Sequence, residues 1–284
     1  MKDLIIGAAD NYDWPHIKIW ARSLTESGFT GDVVLIAYRV TNELVNQCKN
    51  IGIQVFGAEI DELGRPIDHD YLGLPTQSHR MRNFHIWQYL HFNSGAYRFV
   101  AVTDTRDVCF QSNPSVYFDT LANRDNFVAM PSEAITFEYE PWNGSMVRNL
   151  FGEFIYDLLK NKSACNSGTF FGRQETITPM LLNMYLVAKH FNTTGTDQPT
   201  MNVLGYLFYG NVVSCWAMEN GWACQAGTVL DPSKSHFQIH LNEPIPIIRE
   251  NGIVTPFNSN TPFVILHQYD RVPQLKQLIE ARYA

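Results

Sequence analysis

The strongest constraint on this chain is the rhythm of its first 125 residues, where short apolar runs alternate with segments of helical period. Leu4 to Ala9, Asp32 to Tyr38, Ile53 to Phe56 and Tyr97 to Thr103 have the length and composition of strands. Between them, Trp14 to Ser27, Thr41 to Ile51 and Ser78 to Asn93 carry apolar residues at helical spacing, and Gly52 stops the second of these. Strands alternating with helices imply βαβ units and an α/β fold around a mostly parallel, doubly wound sheet. Ligands of such sheets lie beyond the carboxyl ends of the strands, where Ala8 to Tyr12 and Asp104 to Asp107 fall. Past residue 125 the rhythm loosens. Strands are expected at Phe127 to Pro131 and Gly168 to Gly172, and helices over part of Gly144 to Asn161, at Thr176 to His190 and at Gln198 to Tyr209. Beyond Cys215 only short elements are expected, because Pro244, Pro246 and Pro256 interrupt the backbone ladders. With no repeat, low-complexity tract or linker, residues 1–284 read as one domain.

Composition narrows the function. At 284 residues and 45% hydrophobic the chain can bury a sizeable core. Its formal net charge of -7 argues against nucleic acid as a partner, since that affinity rests on clustered Lys and Arg. Any phosphate must meet locally placed cations. The apolar start at Leu4 is too short for a signal or membrane segment, and none is seen elsewhere, so a soluble cytoplasmic protein is expected. Cys48, Cys109, Cys165, Cys215 and Cys224 are odd in number and scattered, which suggests reduced thiols and neither a disulfide framework nor a zinc site. Sequons at Asn143, Asn161 and Asn192 matter only in a secretory lumen. There is no G-x-G-x-x-G and no Walker sequence, so dinucleotide and P-loop readings lose their support.

Charge then appears in an unusual place. The apolar strand ending at Thr103 runs straight into Asp104 and Asp107, with Arg106 between them. Carboxylates are ligands for a hard divalent cation, and a site that also holds phosphate oxygens needs only one or two of them plus a further protein ligand. The alternative is that Asp104 caps the turn or pairs with Arg106. Far along the chain, the apolar run Pro262 to Leu266 leads into His267-Gln-Tyr-Asp-Arg. An imidazole with two carboxylates suits Mn²⁺, with Mg²⁺ also acceptable, better than Ca²⁺. Arg271 can meet a phosphate or pair with Asp270.

These segments, in this order, resemble the GT-A-fold nucleotide-sugar glycosyltransferases. Asp107-Val-Cys-Phe-Gln-Ser-Asn-Pro followed by Phe118 is similar to the segment after the acidic D-x-D motif of that fold, with Asp107 as its last Asp. Asp104 stands one residue earlier than the usual first Asp. His267 resembles the C-terminal histidine that closes the metal shell in several such families. Asn166-Ser167-Gly168 resembles the N-[AS]-G segment facing the donor sugar, although Asn-Ser-Gly is also ordinary turn chemistry. Asp197-Gln198 resembles the D-Q segment of glycosyltransferase family 8, although Asp197 is also placed to cap a helix.

The resemblance implies a Rossmann-like, mostly parallel central sheet flanked by helices, with 1–125 as the nucleotide-binding half and 126–284 as the sugar and acceptor half. It implies Mn²⁺ or Mg²⁺ on Asp104, Asp107 and His267, and transfer of a sugar from a nucleoside diphosphate sugar, a UDP-sugar in this reading, to a hydroxyl of a glycan or other acceptor. Ala8, Ala9 and Asn11 would let the nucleotide approach, and Tyr12 would stack on the base or anchor the following helix. Arg82, in preference to Arg80, would reach the acidic motif or the diphosphate. An inverting course needs a carboxylate base, for which Glu138, Glu140 and Asp197 are candidates. The family 8 segments favour retention, which needs none. Tyr139, Trp142 and Trp222 would stack on an acceptor or pack a core. The rival readings are a metal-dependent nucleotidyl- or phosphotransferase and a noncatalytic sugar-binding module.

Overall fold

Successive side chains of a strand point to opposite faces of its sheet, and the first strand buries both sets. In β1 (Lys2–Asp10), Leu4 and Ile6 belong to one buried cluster and Ile5 to another on the other side. The computed structural model describes residues 1–57 and 78–283. Within it, β1 is followed by α1 (Trp14–Glu26), β2 (Asp32–Tyr38), α2 (Asn42–Asn50), β3 (Gln54–Gly57), α3 (Ser78–Phe92) and β4 (Tyr97–Thr103). β3, β2, β1 and β4 lie side by side in that order and pair in parallel. The same split recurs in β2, with Val34 and Ile36 against Leu35, and in β4, with Val100 and Val102 against Phe99 and Ala101. Burial on both faces is why these strands read as continuous apolar runs.

The chain continues through β5 (Val108–Phe110), α4 (Pro114–Asp119), β6 (Val128–Thr136), α5 (Pro141–Phe151), α6 (Glu153–Leu159), β7 (Ser163–Cys165), β8 (Thr169–Arg173), α7 (Gln174–Ala188), α8 (Asp197–Val203) and β9 (Val213–Trp216). β8 joins the central sheet antiparallel beside β4, and β6 follows antiparallel beside β8. β7 and β9 both pair with β6, giving eight strands drawn from both sides of residue 125. The remaining elements are β10 (Ala223–Gln225), α9 (Ala226–Val229), the pair β11 (Ile247–Ile248) and β12 (Val254–Thr255), β13 (Ile265–His267) and α10 (Pro273–Arg282). β13 lies between β10 and β5 in a separate three-stranded sheet.

One face of the central sheet is covered by Trp14, Ile17 and Trp20 of α1 with Trp222, Phe118 and Phe171. The other is covered by Met81 and Ile86 of α3 and by Ile177 and Met180 of α7.

Three sequence expectations need correction. The helix expected within Gly144 to Asn161 is two helices, because Gly152 takes φ +86 between α5 and α6, where only glycine is at ease. The strand expected to end at Pro131 runs on to Thr136 through an irregular register and a left-handed Ala134 (φ 59). The helix expected from Gln198 to Tyr209 starts at Asp197 and widens into a π-helical turn at Leu204–Phe208. All five cysteines are free. Asn143 of the first sequon is 1% exposed, so its amide is closed to glycosylation. Among the described residues no helix is long and apolar enough to cross a membrane.

Candidate active site

The small sheet brings together two segments 160 positions apart in the sequence. In the antiparallel pairing of β13 with β5, His267 sits opposite Val108, next to Asp107, and the Gln268 N–H donates to the Asp107 carbonyl at 2.7 Å. Asp104 directly follows β4, and its N–H donates to the Gly168 carbonyl at 2.7 Å. Asp104, Asp107 and His267 each offer one ligand atom within 4.8 Å of the others. His267 Nε2 lies 3.4 Å from Asp104 Oδ2 and 3.6 Å from Asp107 Oδ1.

The far nitrogen of His267 sets its tautomer. Nδ1 is 2.7 Å from Gln225 Oε1, whose amide nitrogen donates in turn to Thr169 Oγ1 at 3.0 Å. A carbonyl oxygen only accepts, so Nδ1 carries a proton, and the neutral ring keeps its lone pair on Nε2, the nitrogen nearest the carboxylates. Nε2 is buried and has no hydrogen-bond partner. An orphaned imidazole nitrogen facing two carboxylates fits a divalent cation, and a second-sphere amide on the far nitrogen is the usual support for such a ligand. Without a cation, burial works to lower the His267 pKa, but the adjacent Asp107 and Asp104 carboxylates lift it to about 9. Burial works to raise the pKa of both carboxyls; Arg82 and His267 outweigh it at Asp104, and chiefly His267 does so at Asp107, so both are held below the usual range.

Arg82 of α3 donates to Asp104 Oδ1 through one terminal nitrogen and to Asp197 Oδ2 at 2.8 Å through the other. One oxygen of Asp104 thus faces His267 and the other a guanidinium. Arg80, the weaker sequence candidate, is a strap that donates to the carbonyls of Ala188 and Phe191. Arg106 pairs with Asp107 at 3.2 Å and Asp270 at 3.3 Å and not with Asp104. With Asp270 so engaged, Arg271 has no ion pair among the described residues.

Two cavities adjoin this cluster. The first, of about 330 Å³, is walled by Ala8, Ala9, Tyr12, Arg82, Asp104 and Asp107 among others. The Tyr12 ring also stacks on His16, with centroids 5.2 Å apart. Asn11 takes φ 56 and gives its N–H to the Tyr38 carbonyl, while its neighbour Asp10 lines the cavity in a bidentate pair with Arg39. The second cavity, of about 280 Å³, is lined by Glu133, Glu140, Trp142, Asn166, Gln198 and Lys234 among others.

Of the donor-sugar candidates, Asn166 and Gln198 reach the second cavity, and Arg271 lines both. Asn166 Oδ1 accepts from the Gly168 N–H at 2.7 Å, and the Ser167 N–H donates to Gln198 Oε1 at 3.2 Å. Gly168 lies against the metal cluster, where an added Cβ would stand 2.5 Å from Asp104 Oδ2 and 2.7 Å from His267 Cε1. Asp197 is buried, pairs with Arg82 at 2.8 Å and is not among the lining residues of these two cavities. Glu140 lines the second cavity while one of its oxygens caps α5 through the Asn143 N–H at 2.5 Å. Glu138 is exposed and lines neither cavity. Trp142 is 46% exposed, whereas Trp222 is fully buried against Phe171, so only the former is open to a ligand.

Glu133 was missed by the sequence reading. It is buried, and it accepts from Asn166 Nδ2 at 2.9 Å, Gln198 Nε2 at 3.1 Å and Asn143 Nδ2 at 3.3 Å. Burial first and the nearby Glu140 second push its pKa up. An isolated acid inside the otherwise uncharged run Val128 to Thr136 was the available signal.

No family model and no curated protein matches the chain. Solved structures of similar fold do. The galactosyltransferase LgtC, in complex with donor and acceptor sugar analogs, aligns over 98% of this chain and 95% of its own at 12% identity, with a TM-score of 0.54. Mouse xyloside xylosyltransferase 1 aligns over 94% and 96% at 12% identity, with a TM-score of 0.55. The bifunctional glycosyltransferase WbbM aligns over 80% of this chain at 14% identity and a TM-score of 0.55, and this chain spans 40% of that longer one. The molecule therefore has the GT-A type of fold, a central, mostly parallel sheet flanked by helices.

Proposed function

We propose that this chain is a metal-dependent glycosyltransferase that moves a sugar from a nucleoside diphosphate sugar, a UDP-sugar in this reading, to a hydroxyl of a glycan or other acceptor. The observation that carries the proposal is the convergence of Asp104, Asp107 and an orphaned His267 Nε2 on one point beside a cavity formed at strand ends. Asp104, Asp107 and His267 would hold Mn²⁺ or Mg²⁺, which when bound offsets the charge that builds on a departing diphosphate.

The chain's own residues divide the remaining work. Ala8 and Ala9 leave room for the nucleotide against β1, and Tyr12 presents a ring face for its base. Arg271, without an internal ion pair and common to both cavities, is placed for the diphosphate at their joint. Arg82 fixes Asp104 and Asp197 together, so the charge of the acidic turn is balanced before any ligand arrives. Asn166, Gln198 and Glu133 form one hydrogen-bonded wall suited to sugar hydroxyls.

The commitments of the carboxylates favour a retaining course. Glu138 stands outside the cavities, Glu140 caps its own helix, Asp197 is held by Arg82 and Glu133 receives three amide N–H groups. None is disposed as a free base for the acceptor, and retention lets an oxygen of the departing diphosphate take that proton. NMR of the product anomer tests this, and an inverted product would overturn it. The reaction class is tested by incubating the protein with a panel of nucleoside diphosphate sugars and Mn²⁺. Release of the nucleoside diphosphate is expected. Release of pyrophosphate would replace the proposal with a nucleotidyltransferase.

A further inference from the structure

We propose that Gln268 reads the donor at the joint between the two cavities, its carboxamide bonding at once to the diphosphate and to the sugar attached to it. The proposal rests on the nucleotide-sugar reading above. Gln268 directly follows His267 and takes φ 56, ψ 34, a left-handed conformation that disfavours side chains other than glycine, asparagine and aspartate. Its backbone has a task there: the N–H ties to Asp107, and the carbonyl accepts from the Arg271 N–H at 3.2 Å. Glycine would perform that task without strain. The backbone therefore does not account for a glutamine, and the reason must lie in its side chain.

That side chain packs on a glycine. It lies over Gly227, where an added Cβ would stand 2.8 Å from the Gln268 Cβ and collide with the amide oxygen. Gln268 and Arg271 are the two residues common to the walls of both cavities. Among the described residues the carboxamide has no hydrogen-bond partner. An unpaired primary amide presents N–H donors and a carbonyl acceptor in one plane. Donors suit an anionic phosphoryl oxygen and the acceptor suits a sugar hydroxyl, while Arg271 supplies charge to the phosphate alone. A free nucleoside diphosphate satisfies only half of this amide. Gln268 thus distinguishes a loaded donor from the spent nucleotide.

The test compares wild type with Gln268→Gly and with Gln268→Asn, which tolerates the left-handed backbone. Each is heated with Mn²⁺ and UDP, UDP-glucose, UDP-galactose or UDP-N-acetylglucosamine, and donor hydrolysis is followed in parallel. Gln268→Gly is expected to melt at or above the wild-type temperature and to show a smaller shift with UDP, which loses its bond to the phosphate alone. It loses the additional shift produced by the sugar, and its kcat/KM for the donor falls about 10- to 100-fold, the loss of a hydrogen bond to a charged group. An unchanged sugar-dependent shift and kcat/KM would overturn the proposal, as would a UDP shift of wild-type size. Failure of both variants to fold would assign Gln268 to structure instead. If no donor stabilises the wild type, the nucleotide-sugar reading itself falls, an outcome separable from the others.

Discussion

His267 can offer a lone pair only because Gln225 holds its other nitrogen. Replacing Gln225 with Leu keeps the volume and removes that hold, and Mn²⁺ affinity is expected to fall about 10- to 100-fold in a metal titration. An unaltered affinity would show that packing alone orients the ring. Gly168 acts by absence: Gly168→Ala places a methyl against Asp104 and His267 and is expected to abolish metal-dependent stabilisation while the fold persists. The titration of His267 has a definite sign. Its pKa rises from 6.5 to about 9 on folding, so its contribution to the metal-free protein is complete below 6.5 and is lost as pH climbs through about 9. Melting temperatures in chelator are therefore expected to fall across that window. A saturating divalent cation takes the place of the proton and is expected to flatten the profile, and Mn²⁺ binding tightens with pH over the same range. A flat profile in chelator would contradict this account of the site.

At the scale of elements, the site depends on β13 lying between β5 and β10. Leu266, fully buried beside His267, anchors that strand; Leu266→Ala is expected to cost about 2–5 kcal/mol in urea unfolding and to weaken Mn²⁺ binding as well. Loss of stability with full metal affinity would mean that the small sheet does not position the histidine. The aromatic residues separate by burial. Trp222→Ala is expected to cost about 3–5 kcal/mol, because its ring is enclosed by Phe171 and Phe118, whereas Trp142→Ala leaves unfolding within about 1 kcal/mol of wild type. Equal losses would contradict their placement. The strands β1, β2 and β4 were legible because burial on both faces keeps their centres apolar, as in Leu4 to Ile6, Val33 to Ala37 and Phe99 to Val102. Glu133 was not, because it lies beyond Pro131 in a part of β6 where the register shifts and a left-handed Ala134 redirects the chain. The Asp10 wall of the first cavity was hidden for a related reason: it depends on the left-handed turn at Asn11, a conformation that asparagine adopts readily but that no local pattern announces.

Across the whole molecule, the ends of β1 and β4 in the central sheet meet the end of β13 in the small one, and the two cavities open on either side of the Gln268–Arg271 turn. The order of the sequence segments already pointed to this convergence, since Asp104, Asp107 and His267 each follow or flank an apolar strand. The walls of the second cavity were harder to read. Glu133, Lys234 and Thr228 come from separate elements, and their proximity follows from tertiary packing that no local pattern encodes. The central claim is that Asp104, Asp107 and His267 bind a cation that in turn binds a nucleoside diphosphate sugar. Calorimetric titration of the wild type and of Asp107→Ala with UDP-sugars, each with Mn²⁺ and with chelator, tests it most directly. The account predicts donor binding by the wild type with Mn²⁺ and its loss both in chelator and in Asp107→Ala. Donor binding of equal strength in all four titrations would contradict it.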